Sequence, residues 1–126
     1  MEKINIEKSK KGFPCLWECG GSFSNTGEAT IIADRNGNKK QAIFIRNKGN
    51  LACENHALIP VEKNDYIIKC NHNRTGVMIK IFKIVDITSD KAILEENYFE
   101  EKLYKACEAA KNKAYDYHCR TTYYVN

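Results

Sequence analysis

Residues 77–87 read VMIKIFKIVDI, and the alternation in that stretch decides the fold class. Val77, Ile79, Ile81, Val85 and Ile87 fall on one side of an extended chain, with Met78, Phe82 and Ile84 on the other. A strand that is apolar on both sides belongs in the middle of a sheet, or in a strand that curves between two faces of a small barrel. Working back toward the N-terminus, the same short period recurs in Tyr66–His72, His56–Val61, Gln41–Arg46, Glu28–Ala33 and Phe13–Cys19. Turn-forming runs separate them, at Gly20–Gly21, Asp34–Asn38, Lys48–Asn50, Glu62–Asp65 and Asn73–Gly76. Asn36-Gly37 is the pair favoured by a type I′ turn, so 28–46 is expected to be a hairpin. Pro60 marks a strand end or an edge strand.

Toward the C-terminus, Thr88–Lys91 turns the chain, Ala92–Leu94 offers a last short strand, and then the period changes. Phe99, Leu103, Ala106, Cys107, Ala110, Ala114 and Tyr117 recur at helical spacing, with Asn97 and Glu100 positioned as a cap and its return partner. The expected fold is α+β: a curved antiparallel β-sheet or small barrel of five to seven strands with one C-terminal amphipathic helix. The expected organisation is one domain over 1–126, with 1–11 weakly ordered or adding an edge strand, 12–96 in the sheet region, a helix over 97–118, and a tail over 119–126. Thr121–Val125, rich in β-formers, is expected to pair with a sheet edge or a second subunit. The helix and tail are the surfaces through which copies of the chain would associate.

Composition narrows the function classes. A chain of 126 residues with 43% hydrophobic and 29% charged residues is of ordinary globular make-up and buries roughly two-thirds of its unfolded surface. No apolar run is long enough to cross a bilayer, and the N-terminus has no signal-like apolar segment, so a soluble, cytoplasmic protein with reduced thiols is expected. Twenty basic against sixteen acidic residues, a net charge of +4, is too mild for a duplex DNA binder. It suits a small anion held by a few well-placed basic groups.

Particular residues bear on three kinds of chemistry. Cys15, Cys19, Cys53, His56, Cys70, His72, His118 and Cys119 form four local pairs. Their spacing is poor for zinc, since Cys15 and Cys19 in an extended segment stand about 13 Å apart. No cofactor is therefore expected, and a zinc site, if there were one, would use Cys53, His56, Cys70 and His72. No nucleophile elbow, zinc-binding His-Glu helix or phosphate-cradling glycine loop is present, so no catalytic residue is assigned; a nuclease with His56, His72 and Arg74 as base, acid and clamp is the enzymatic alternative. The favoured reading is capture of a nucleotide-like anion by Asn25, Thr26, Gly27, Arg46, His56, His72 and Arg74. Trp17, Phe44, Tyr66 and Phe82 would supply a stacking wall.

The runs SNTGEATIIA, HALIPV, DYII and IKIFKIVDI together resemble small uncharacterised phage and prophage proteins of Gram-positive bacteria, over roughly Gly12 to Ile87. The resemblance carries over no catalytic residue. It implies action inside a bacterial host cell, as a non-enzymatic counter-defence factor that sequesters a cyclic nucleotide signal. The alternative it implies is an inhibitor, of the anti-CRISPR kind, that binds a host defence protein.

Overall fold

The computed structural model describes residues 1–23, 26–46 and 56–125, with side chains over 1–19, 27–46 and 56–116. Among them ten antiparallel strands form two sheets, and a single long helix follows. The α+β class with a curved sheet and one C-terminal helix stands, built from ten strands among the described residues where the turn signals suggest five to seven.

The six-stranded sheet has the order β1 (Glu2–Asn5), β10 (Lys91–Asn97), β9 (Gly76–Ile87), β8 (Tyr66–Asn73), β5 (Thr26–Ala33), β4 (Gly20–Phe23). The four-stranded sheet has the order β2 (Glu7–Lys8), β3 (Pro14–Glu18), β7 (His56–Pro60), β6 (Phe44–Arg46). Both outer strands of the larger sheet run on into the smaller one. The N-terminal segment passes from β1 to β2 at Ile6, and β3 passes to β4 at Cys19. Residues 2–8 thus take the edge-strand alternative, with Ile4 and Ile6 packed on the core between the sheets.

Two cores result, one on each face of the larger sheet. Leu16, Ile32, Ile59, Val61, Ile67, Phe82, Ile84, Ala92 and Leu94 fill the space between the sheets. On the opposite face, Ala29, Ile31, Ala33, Tyr66, Ile68, Cys70 and Ile81 meet Leu103, Ala106, Cys107, Ala110 and Ala114 of the helix. Three alanines at helical spacing opposite Ala29 and Ala33 let the helix lie close on β5, because neither side puts bulk between the backbones.

Four local expectations give way to tertiary structure. The turn at Asp34–Asn38 forms, with Gly37 at φ +86° and the Asp34 carboxylate accepting the Asn36 and Asn38 N–H groups at 2.8 and 3.0 Å. The returning chain, however, leaves β5 after an isolated bridge at Lys39 and crosses to the smaller sheet, where β6 pairs with β7. Lys40 is the pin for that crossing: its ammonium lies 2.6 Å from the Asp65 carboxylate, which is 1% exposed and also accepts the Glu62 N–H at 2.8 Å. In β9, Leu94 pairs with Ile84 and Ile93 with Asp86, so Val85 is an extra residue in the ladder. That bulge turns Ile87 to the face of Ile84, against the strict alternation read from the sequence.

The helix also starts and ends elsewhere. Asn97 closes β10, and its amide donates to Glu100 at 3.0 Å, but Glu100 caps nothing with its side chain. It accepts instead from the Tyr66 hydroxyl at 3.1 Å, and those two hydrogen bonds hold its carboxyl below the usual range. A single 3₁₀ turn, Glu101–Leu103, precedes α1 (Tyr104–Val125), which leaves Phe99 outside the helix. The 119–125 backbone is helical, not extended. Once a helix is running, each added residue gains an intrahelical hydrogen bond, whereas the β-formers of 121–125 would need a strand to pair with.

Two substitutions test these constraints. Asp65→Ala is expected to cost about 2–4 kcal/mol in chemical denaturation, because it strips Lys40 and the Glu62 N–H of their shared acceptor, and Asp65→Asn less, since its amide oxygen still accepts. Gly37→Ala is expected to cost about 1–3 kcal/mol. Its φ is positive and a Cβ there would run into the Lys102 carbonyl, so the loss should show in the same melts.

Candidate functional site

Strand alternation sorts the side chains of the smaller sheet. Leu16, Glu18, Ala57 and Ile59 face the larger sheet, and Cys15, Trp17, His56, Leu58, Phe44 and Arg46 share the outer face. On that outer face Trp17 is the centre of a cluster. The Arg46 guanidinium lies 4.7 Å from the centroid of its ring. Phe44 meets it edge-on with centroids 6.4 Å apart, and His56 lies tilted at 6.0 Å. A cation over indole is worth about 0.5–1 kcal/mol where exposed, enough to hold Arg46 against the sheet while leaving its N–H groups toward solvent.

Beside this cluster runs a groove of about 550 Å³, lined by Phe13, Ile43, Phe44 and Leu58 and by Lys8, Lys10 and Lys11. The two latter lysines sit on a tight turn between β2 and β3. Ser9 and Phe13 close it through Ser9 N–H to the Phe13 carbonyl at 2.9 Å and Phe13 N–H to the Ser9 hydroxyl at 3.0 Å. The positive charge is therefore held by an ordered element.

The remaining sequence-derived site residues lie elsewhere. Gly27 pairs with His72 in the β5–β8 ladder, on the larger sheet, and the His72 ring meets Tyr115 of α1 edge-on at 5.1 Å. Arg74 is exposed in the β8–β9 turn, which Asn73 braces by accepting from the Thr75 N–H and hydroxyl at 2.8 and 2.6 Å. Thr26 opens β5 at the same end of the sheet. Asn25 and Cys53 lie outside the described residues. Of the stacking wall, Trp17 and Phe44 are on the outer face, whereas Tyr66 and Phe82 belong to the two cores. The candidate residues thus divide between two sheets, with Arg46 and His56 in one group and Gly27 and His72 in the other.

The thiols divide in the same way. Cys70 and Cys107 are buried between sheet and helix, and burial pushes both thiols up. Cys15 is buried beneath the β2–β3 turn with its thiol 3.4 Å from the Phe13 carbonyl and is likewise pushed up by burial. Thiols held protonated are poor nucleophiles and poor ligands. Among the described residues no three His, Cys, Asp or Glu side chains converge as a metal site. No helix there is long and apolar enough to cross a membrane.

One charged group of consequence lies outside the sequence-derived candidates. Glu18 is 4% exposed and accepts the Ile32 N–H at 3.2 Å, filling the gap on the β5 edge where the chain passes between β3 of the smaller sheet and β4 of the larger. Its signal was available: it shares the inward face of its strand with Leu16. Burial raises its carboxyl, against the opposing pull of Lys113 and Lys39, and burial likewise lowers Lys113. With the Glu18 carboxyl raised in the folded state, its contribution to stability is complete below the ordinary carboxylate pKa and is lost as pH rises through the raised value. Lys113 runs the other way, its contribution growing as pH rises through its lowered value. Glu18→Gln keeps an oxygen for Ile32 and removes the charge, so its stability relative to the parent protein should improve as pH rises from about 4 to about 7, measured by urea melts across that range. A constant difference would show that Glu18 titrates as it does in the unfolded chain.

Comparison of the chain with protein-family models, curated proteins and solved structures returns no match, so the chemistry of this face rests on the chain's own residues.

Proposed function

We propose that the protein is a non-enzymatic binding protein that captures a nucleotide-type anion on the outer face of its smaller sheet. The observation that carries this is the Arg46 guanidinium held over the Trp17 ring, which Phe44 and His56 also meet. A nucleotide needs an aromatic surface for its base and fixed donors for its phosphates, and this cluster supplies both within one side-chain row and its neighbour. The lysines of the adjoining turn extend the positive surface to a second phosphate. The residues of the larger sheet, Gly27, His72 and Arg74, are not needed in this arrangement. Retention of a cyclic nucleotide in this way is what a phage-type counter-defence factor acting in the cytoplasm of a bacterial host would require.

A thermal-shift panel of linear and cyclic nucleotides should find one that stabilises the protein, by about 2.7 kcal/mol at a hundredfold excess over Kd. Arg46→Ala and Trp17→Ala should each weaken that ligand by about tenfold, Arg74→Ala should leave it unchanged, and the nucleotide should be recovered intact. Equal losses from Arg46→Ala and Arg74→Ala would move the site to the region between the sheets' ends. Turnover of the nucleotide would make the protein an enzyme.

A further inference from the structure

Next to the Trp17 cluster the smaller sheet ends in β6, whose only partner among the described residues is β7. An edge strand turns alternate N–H and C=O groups to its open side, where another extended chain can take them. Sheet edges that are meant to stay free are commonly guarded by charge, proline or a covering loop. Among the described residues the guard on β6 is weak: Phe44 is 54% and Ile45 61% exposed, on opposite faces of the strand, and Ile43 before it is also exposed. Arg46 is the strand's one charge, and it is drawn onto Trp17.

We infer that β6 and the adjoining groove form a docking site for an extended acidic segment of a partner protein, which adds as a fifth strand and seats an apolar side chain in the groove. The two parts of the surface ask for the same occupant. Main-chain groups along an open strand edge are matched by another peptide backbone, not by a phosphate backbone. Beside that edge, the groove floor of Phe13, Phe44 and Leu58 takes an aliphatic or aromatic side chain. The charged groups in its lining are Lys8, Lys10 and Lys11, with no acid among them, so the residues flanking that side chain should be glutamate or aspartate. A basic segment would bring like charges together on the β2–β3 turn. This inference goes beyond nucleotide capture: the groove shares Phe44 with the Trp17 cluster, and its turn lysines are those that would meet a second phosphate.

The test uses the full chain and a synthetic peptide of about ten residues, alternating glutamate with leucine or valine so that it is extended and acidic. Trp17 is the chain's one tryptophan, so its fluorescence reports binding on this face, and amide shifts locate it. The expected result is saturable binding with the largest shifts at 43–46 and in the β2–β3 turn. The counterpart with lysine in place of glutamate should not bind. Lys10→Glu with Lys11→Glu, two exposed positions whose change leaves the cores intact, should weaken the acidic peptide by about tenfold or more. Ile45→Pro, which removes a main-chain donor at a position where edge strands tolerate proline, should weaken it while leaving the nucleotide-induced thermal shift in place. Several results would overturn the inference: no binding of the acidic peptide, equal binding of the lysine peptide, or indifference to the charge reversal. Shifts confined to the larger sheet would do the same. Saturation of the groove by decanoate with no binding of the peptide would make it a small-molecule site instead.

Discussion

The structure depends on how the outer edge of β5 is closed after its neighbour departs. β4 pairs with β5 only as far as Ala29, and beyond it the chain of β3 has already moved to the other sheet. Three contacts fill the vacated edge: Thr30 N–H to the Cys19 carbonyl at 2.9 Å, Ile32 N–H to the Glu18 carboxylate at 3.2 Å, and Lys40 N–H to the Ile32 carbonyl at 3.0 Å. An unpaired buried backbone group would cost about 1–3 kcal/mol, so this edge fixes where both crossings occur. The Lys40–Asp65 pair then anchors the second crossing to the start of β8. Everything on the outer face of the smaller sheet inherits its position from these few bonds, since β3 and β6 are the strands that cross.

The same crossings separate the aromatic residues by role. Tyr66 and Phe82 lie on strands covered on both faces and are spent on the cores. Trp17 and Phe44 lie on strands covered on one face, and alternation turns them outward. A polar neighbour next to a core ring, such as Lys69 at 5.8 Å from Phe82 or Lys102 at 5.1 Å from Tyr66, covers the rim of a packed side chain. Arg46 over Trp17 differs because the ring beneath it is itself on an open surface.

Much of this was legible in the residues, and the limits have physical causes. Alternation in 66–87 and helical spacing in 103–114 give the central strands and the helix, because both patterns record burial on long, regular elements. The turn at Asn36-Gly37 was legible too, but the destination of the chain after it was not: Lys40 is held by Asp65, 25 residues away, and no local signal encodes that. Val85 looks like any other alternating residue, yet the ladder with β10 makes it a bulge. For the candidate site, Arg46 and His56 could be singled out as polar groups at strand ends, and Trp17 and Phe44 as aromatics. Their convergence, and the separation of His72 and Arg74 from them, depends on which sheet each strand joins. That is a long-range property, as is the burial of Glu18.

The pairing of β1 with β10 sets Glu2 opposite Leu94, so β1 must wait for β10 before it can pair. Its closure encloses a loop of about ninety residues, and only then are Ile4 and Ile6 drawn onto the inter-sheet core. A topology of this kind folds slowly for its size, since the entropy of ordering a long loop is lost before the contact repays it. During that interval the edge of β10 is open and the core between the sheets lacks one wall. Until β1 pairs, a β-rich sheet keeps an unpaired, partly apolar edge, and this strand of only four residues is what closes it.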